Sequence, residues 1–538
     1  MREGSRRFSV GGTRRDFLQA AGAVGLGVAA QQVISRAGYA RALGAASEPP
    51  LQATLRVDLE RRLGTIDPAI YGNFIEHLGR CIYGGVYDQG SPLADADGDR
   101  KDVVEAARRL HVTQLRWPGG NFSSGYHWQD GIGPPEARPA RYDLAWFERE
   151  PNRFGTDEFI ALCGKLGAAP YICVNLGTGT LDEASAWVEY CNRPGGTYYA
   201  DLRRKNGHPE PFGVKLWGVG NEIYGPWQIG HKNAADYAKA GVEFAKVMKW
   251  QDPAIKLIAC GTGDPGWDRP VLESMLSHVD YISAHHYTVS DDPQGYYEVL
   301  GSVAEMEQTI RNSALVAESL SARAHKPSPV WTALDEWNII NNWGDGSKRD
   351  DVHKFEVMYN LRDALWVASA LNCIQRHCRT VRLANLAQLV NVIAPLQTSP
   401  TGLLMLTTFY PLELYASRSG NIALEVMVES PRFETKGFAD QAYLDAIATT
   451  DESNQKVRLA VVNRRKEGDV AGTVEIAGRR AQPGGRAFQI TGASPDAMNT
   501  FANPHAVATQ EVKLEASGSR FEYRFQRHSV SWLEFEVA

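Results

Sequence analysis

The chain has little cysteine and none of it arranged in a motif. Seven cysteines are scattered over 538 residues, with no C-x-x-C pair, so nothing suggests a zinc site of that kind. An odd, dispersed set fits reduced, buried thiols better than a disulfide framework. Cys173 and Cys260 lie in or at the end of apolar strand-like runs, and Cys373 and Cys378 share one predicted helix. No basic run with interleaved aromatics occurs, and 57 Lys+Arg against 63 Asp+Glu give a formal charge of −6, which argues against nucleic acid as a partner. After the N-terminal segment no stretch reaches the ~18 uninterrupted apolar residues of a membrane span. No G-x-G-x-x-G follows a first strand and no phosphate cradle is present, so no nucleotide cofactor is expected. Neither a metal nor any other cofactor is expected.

The first residues read as a targeting segment outside the fold. Thr13-Arg14-Arg15-Asp16-Phe17-Leu18-Gln19 is close to a twin-arginine export motif, and a weakly apolar Ala/Gly-rich stretch runs from Ala20 to Ala30. Ala40-Arg41-Ala42 offers a small-x-small cleavage site, with Ala45 or Ala46 as alternatives. Residues 1–46 are therefore assigned to an export signal, and the mature chain is expected outside the cytoplasm and free of the membrane.

From residue 66 to about 400 short apolar runs alternate with helical patterns. Strands are expected at Ile70–Phe74, Gln114–Trp117, Tyr171–Asn175, Lys215–Val219, Lys256–Cys260, Tyr281–His285, Val330–Asp335 and Leu383–Leu389. Helices are expected at Val103–Leu110, Asp157–Leu166, Glu183–Tyr190, Ala234–Trp250, Val303–Arg323 and Val352–Arg376, with Asp236, Ala240, Phe244 and Val247 marking the contact stripe of the fourth. Such alternation predicts an α/β protein built on a (β/α)8 TIM barrel, a doubly wound open sheet being the competing arrangement. Residues 401–538 alternate apolar and polar positions between Gly/Pro-rich turns such as Gln482-Pro483-Gly484-Gly485, the pattern of a C-terminal β-sandwich. The strand in residues 47–65 is expected to join that sandwich, and the charged tract Arg464–Asp469 reads as a hairpin tip.

Functional groups in a barrel gather at the carboxyl ends of its strands. Here those ends are polar: Glu76-His77, Arg116 to Asn121, Asn175, Asn221-Glu222, His285-His286-Tyr287, Asp335-Glu336 and Gln388. Neutral hydrogen-bonding groups with carboxylates suit the grip of sugar hydroxyls. Two glutamates from different strands, Glu222 and Glu336, can flank a glycosidic bond, one donating a proton and the other attacking the sugar. Ordinary alternatives exist for the rest. Glu76 can pair with Arg80 or Arg116, Asn121 can cap a turn, and His285 can be a satisfied core histidine. His285 and His286 cannot share a metal, since neighbouring strand residues face opposite sides.

The strings Ile70–Arg80, Arg116-Trp117-Pro118-Gly119-Gly120-Asn121-Phe122, Gly220-Asn221-Glu222, Gly225–His231, Asp335-Glu336-Trp337-Asn338 and Leu386–Pro395 together resemble the α-L-arabinofuranosidases of glycoside hydrolase family 51. The resemblance implies a retaining, exo-acting enzyme on arabinose-containing poly- and oligosaccharides. It implies Glu222 as acid/base, Glu336 as nucleophile, and Glu76, Asn121, Asn221, His285, Tyr287 and Gln388 around the sugar. It also leans toward a homo-oligomer, often a hexamer. The ionisation expected is Glu336 charged and Glu222 protonated, because two nearby negative charges are unfavourable. Another retaining glycosidase of the same barrel clan, such as an endo-β-glucanase, and a catalytically inactive sugar-binding barrel stay open as alternatives.

Overall fold

The computed structural model describes residues 51–289, 295–340 and 352–538. The twin-arginine string and its cleavage sites lie outside the described residues.

The described residues open with a long strand, β1 (Leu51–Thr65), and then enter the barrel. Its strands are β2 (Gly72–Phe74), β3 (Gln114–Trp117), β4 (Ala169–Cys173), β5 (Leu216–Val219), β6 (Lys256–Ala259), β7 (Tyr281–Val289), β8 (Trp331–Ile340) and β9 (Val381–Ala387). They pair in chain order, β9 closes on β2, and every pairing is parallel. Closure rules out the open doubly wound sheet. The short apolar runs become these strands because both faces are covered, outside by helices and inside by side chains such as Tyr171, Ile258, Ala333 and Leu383.

Several boundaries differ from the sequence reading. Ile70 and Tyr71 belong to a 3-10 turn, Pro68–Tyr71, started by Asp67, whose carboxylate accepts from the Ala69 N–H. The helix expected from Val352 begins at Leu361, where Asn360 and Asp363 form a reciprocal cap. The buried stripe of the Ala234–Gln251 helix is Tyr237, Gly241, Phe244 and Met248; Asp236 instead bonds the N-cap Asn233 at the exposed first turn. Helices at Tyr198–Lys205, Pro265–Met275 and Phe409–Arg418 were not anticipated.

The C-terminal strands are β10 (Ile422–Glu429), β11 (Leu444–Thr450), β12 (Lys456–Asn463), β13 (Val470–Ile476), β14 (Ala481–Thr491), β15 (Ala508–Gly518), β16 (Arg520–Phe525) and β17 (Ser529–Glu536). With β1 they form one nine-stranded sheet in the order β15-β14-β17-β12-β11-β10-β1-β13-β16. The sheet encloses its own apolar core, including Leu55, Val57, Leu459, Val461, Val474, Phe525, Leu533 and Phe535. Gln482–Gly485 is not a turn. It lies inside β14, where the register against β15 shifts on both sides of Gly484, so the glycines serve a bulge. Nor is Arg464–Asp469 a hairpin tip, because β12 and β13 are not neighbours in the sheet. The tract crosses between sheet positions, and Arg464 is buried with its guanidinium donating to the Ala442 carbonyl.

Candidate active site

Two irregularities at strand ends build the site. After β5 the backbone takes positive φ at Gly220 (83°) and again at Glu222 (43°). The second is costly for a non-glycine residue, of order 1–3 kcal/mol, and is the kind of strain found at functional positions. It swings Glu222 off the strand axis. The Tyr237 hydroxyl anchors this turn, donating to the Val219 carbonyl (2.8 Å) and accepting from the Cys260 N–H (2.7 Å). In β8 the register shifts between Ala333 and Glu336 against β7, and between Leu334 and Trp337 against β9. This bulge turns Asp335 and Glu336, consecutive in sequence, toward the same centre.

That centre is a buried charge network. Arg116, at the end of β3, bonds Glu336 through Nη1 and donates to Asn221 Oδ1 from Nη2 at 2.6 Å. Its Nε lies 3.7 Å from Asp335 Oδ2, and its guanidinium rests over the Phe74 ring at 4.9 Å. Tyr287 donates to Glu336 Oε2 (2.7 Å) and Tyr171 to Asp335 Oδ2 (2.7 Å). His285 bridges the three carboxylates: Nδ1 lies 2.9 Å from Glu222 Oε1 and 3.5 Å from Glu336 Oε2, and Nε2 lies 3.1 Å from Asp335 Oδ1. Glu222 also accepts from Tyr224 (3.2 Å) and from the Trp227 indole (2.9 Å). One carboxylate oxygen of Glu222 and one of Glu336 lie within 4.8 Å of each other, with a His285 nitrogen in the same group.

The surroundings set the protonation. His285 is pushed up to about 10: burial works against its charge, but Glu336, Asp335 and Glu222 outweigh it. For Glu222 burial is the largest influence and acts upward, yet the bonds from His285, Trp227 and Tyr224 leave it below its ordinary value. The expectation of a protonated Glu222 beside a charged Glu336 is therefore corrected. Arg116 and His285 bring positive charge beside the carboxylates, and the proton of the Glu222–His285 pair rests on the imidazole. Burial raises Tyr287 well above its ordinary value, with Glu336 adding to the shift, so its phenol stays a donor.

Facing this network is a polar wall. Glu76 Oε1 accepts from the Phe122 N–H (3.0 Å) and the Trp146 indole (2.9 Å), and its Oε2 from Gln388 Nε2 (3.3 Å). Burial carries Glu76 up to about 8. Neither arginine considered for it is its partner, because Arg80 pairs with Glu356 and Arg116 with Glu336. A side chain on Gly119 would run into the Glu76 methylene at 2.4 Å. A Cβ on Gly120 would lie 3.4 Å from Glu76 Oε2, 3.5 Å from Asn221 Nδ2 and 3.5 Å from Glu336 Oε1. Glycine thus keeps open the space on which these three groups converge. Asn221 Nδ2 and Gln388 Oε1 are buried without a hydrogen-bond partner among the described residues. Buried polar atoms rarely go unsatisfied, and hydroxyls of a bound sugar would satisfy these.

Of the eight residues singled out from sequence, Glu222, Glu336, Asn221, His285 and Tyr287 share the charge network, and Glu76 and Gln388 form the wall that faces it. Asn121 opens the 3-10 turn Asn121–Gly125 beside Gly120, and no bond from its side chain to the network is seen among the described residues. His285 is no simple core histidine, whereas His286 points the other way, bonds Thr288 Oγ1 at 3.3 Å and is lowered by burial to about 4. Sequence reasoning named Arg116 and Asp335 only as polar strand ends, with no role of their own, and missed Tyr171 and Tyr224. The one available signal was an arginine and an aspartate within otherwise apolar strands, since buried charges demand partners.

Residues 106–305 match the model of the alpha-L-arabinofuranosidase 1 domain and residues 335–529 that of the alpha-L-arabinofuranosidase C-terminal domain. Alpha-L-arabinofuranosidase C of Emericella nidulans is 39% identical over 89% of this chain and 96% of its own length. An intracellular exo-alpha-(1->5)-L-arabinofuranosidase of Bacillus subtilis is 41% identical over 77% of this chain and 85% of its own. Among solved structures, the Thermotoga maritima alpha-L-arabinofuranosidase in complex with arabinose superposes with a TM-score of 0.84 at 42% identity, covering 90% of this chain and all (100%) of that one. The Thermotoga petrophila family 51 enzyme does so with a TM-score of 0.84 at 43% identity over the same shares, 90% and 100%. A metagenomic glucanase-xylanase at 15% identity and a TM-score of 0.59 shares the fold alone. A barrel with paired glutamates at two strand ends, matched along nearly its whole described length, places this chain in the α-L-arabinofuranosidases of glycoside hydrolase family 51.

Proposed function

We propose that the enzyme releases terminal arabinofuranosyl residues from arabinose-containing poly- and oligosaccharides by double displacement, with Glu336 as nucleophile and Glu222 as acid/base. The observation that carries this reading is the approach of the two carboxylates to within 4.8 Å. Retaining enzymes hold theirs about 5–5.5 Å apart, while inverting ones need about 6.5–9.5 Å to admit a water.

In the first step Glu336 attacks C1 as the proton of the Glu222–His285 pair reaches the departing oxygen through Glu222. That proton crosses one 2.9 Å contact, so none need be drawn from bulk solvent. Esterified Glu336 loses its charge, while Arg116 retains Asp335 nearby. Glu222, now ionised beside neutral His285, takes a proton from water, which attacks C1 and frees Glu336. Asn221 is fixed by Arg116 through its carbonyl oxygen; its amide nitrogen is placed to bond the sugar 2-hydroxyl, a contact that strengthens as positive charge develops on the ring. Exo action is supported by the likeness to the Bacillus subtilis exo-alpha-(1->5)-L-arabinofuranosidase. A panel of nitrophenyl glycosides tests the reading: turnover of the α-L-arabinofuranoside is expected, and turnover of only β-glucoside or β-cellobioside would refute it.

The twin-arginine-like string supports export, so that the enzyme meets its polymers in the periplasm or outside the cell. Replacing Arg14 and Arg15 by lysine should retain the enzyme in the cytoplasm of its host, and unchanged fractionation would refute export by that route. A homo-oligomer, up to a hexamer, is proposed on the family resemblance and is tested by light scattering.

A further inference from the structure

A second convergence of dissimilar ligand groups lies on the outside of the barrel. The helices Val303–Arg323 and Leu361–Arg376 carry Glu307 and Cys373, and His377 stands at the C-terminal end of the second. One ligand atom from each of Glu307, Cys373 and His377 lies within 4.8 Å of the others. Cys373 and His377 are one helical turn apart, so both face the neighbouring helix. This is a metal-ligand spacing that a search for C-x-x-C pairs passes over. Cys373 is fully buried, while His377 and Glu307 keep 20% and 30% of their side chains exposed, leaving a way in from solvent.

We propose that Glu307, Cys373 and His377 bind a zinc-class divalent cation that fastens these two helices together. Thiolate, imidazole and carboxylate are the donors zinc and cobalt prefer, whereas magnesium and calcium want oxygen alone. Bonds of about 2.0–2.3 Å in a tetrahedral set leave ligand atoms ~3.5 Å apart, so a contraction of about 1 Å closes the group. The helix C-terminus adds carbonyls whose partial negative charge favours a cation. The charged groups that face the site are Arg311 and Arg376. Arg311 donates to Glu307 Oε1 at 2.6 Å, the oxygen that His377 also meets at 3.2 Å. Arg376 is turned to Asp445 of β11 at 2.8 Å, which places the site beside the joint between barrel and sheet domain. On binding, the Cys373 thiol loses its proton to solvent and forms the metal–sulfur bond, and the two anionic ligands neutralise the ion. Binding therefore releases a proton and strengthens as pH rises.

The test is titration of the purified full-length enzyme with cobalt(II), read by its thiolate-to-cobalt charge-transfer band. One equivalent should develop the band, zinc should displace it, and Cys373→Ser should abolish it. His377→Ala and Glu307→Gln, both at partly exposed positions, should weaken zinc binding by at least about tenfold while leaving arabinofuranosidase activity unchanged. Absence of the band in the wild-type enzyme, or its persistence in a folded Cys373→Ser variant, would overturn the proposal. The catalytic group Glu222, His285 and Glu336 contains no thiol and cannot give this signal.

Discussion

The two strand ends that carry Glu222 and Glu336 use the same side chain in opposite settings. Glu336 is bonded by Arg116 and Tyr287, a guanidinium that does not deprotonate in proteins and a phenol that burial keeps protonated. Neither of these partners gives up a proton readily, and His285 stands farther from Glu336, at 3.5 Å, than from Glu222, at 2.9 Å, which suits Glu336 to the proposed nucleophile's part. Glu222 is bonded by His285, Tyr224 and Trp227, and one of these, the imidazole, can give a proton up. Role thus follows from the chemistry of the neighbours rather than from residue type.

If that contrast is right, removing each glutamate should fail differently. Glu336→Ala should cost at least about ten-thousandfold in kcat, with azide unable to restore a product of retained configuration; normal hydrolysis of nitrophenyl arabinofuranoside would erase the distinction. Glu222→Ala should lose about 10²–10⁴ on poor leaving groups and far less on a good one, and azide should yield a glycosyl azide of retained configuration. Equal losses across leaving groups would contradict a proton donor at this position. Gly120→Ala would place a methyl between Glu76, Asn221 and Glu336. A loss of about a hundredfold in kcat/KM with an unchanged melting temperature is expected, and full activity would show that the sugar does not use this space.

Arg116→Met probes the fixed side of the comparison. It strands two buried carboxylates, and such a broken pair costs about 3–5 kcal/mol, to be read by denaturant unfolding; an unaltered midpoint would mean the network contributes nothing net. The subtlest test is the alkaline limb. His285 keeps its proton until pH rises through about 10, so activity should persist well into the alkaline range and fall there. In His285→Asn the proton must sit on Glu222 alone, among two donors that favour its ionised form, so the limb should move to lower pH. The same raised value means that the imidazolium stabilises the fold fully below its unfolded value, near 6.5, and that this stability is lost as pH approaches 10.

The barrel was legible because its strands are short apolar runs ending in polar residues, and because such ends face one mouth. Glu222, Glu336, Tyr287 and Gln388 were found by that logic. Alternation also separated His285 from His286 correctly. It misleads at β8, where the register shift lets Asp335 join Glu336, and a period of two carries no sign of a bulge. Arg116 was legible only as a polar strand end or a partner for Glu76, because its actual partners come from β5 and β8, contacts that only closure creates. In the sheet domain, Gly484-Gly485 was taken for a turn since a bulge and a turn call for the same residue, and the pairing partner decides between them.

The proximity of Glu222 and Glu336 is best tested by the stereochemistry of the product. Proton NMR of a fresh digest of nitrophenyl α-L-arabinofuranoside, recorded before mutarotation, should show the α-anomer of arabinose appearing first. Initial appearance of the β-anomer would mean that water attacks C1 directly, and the double displacement through Glu336 would have to be abandoned.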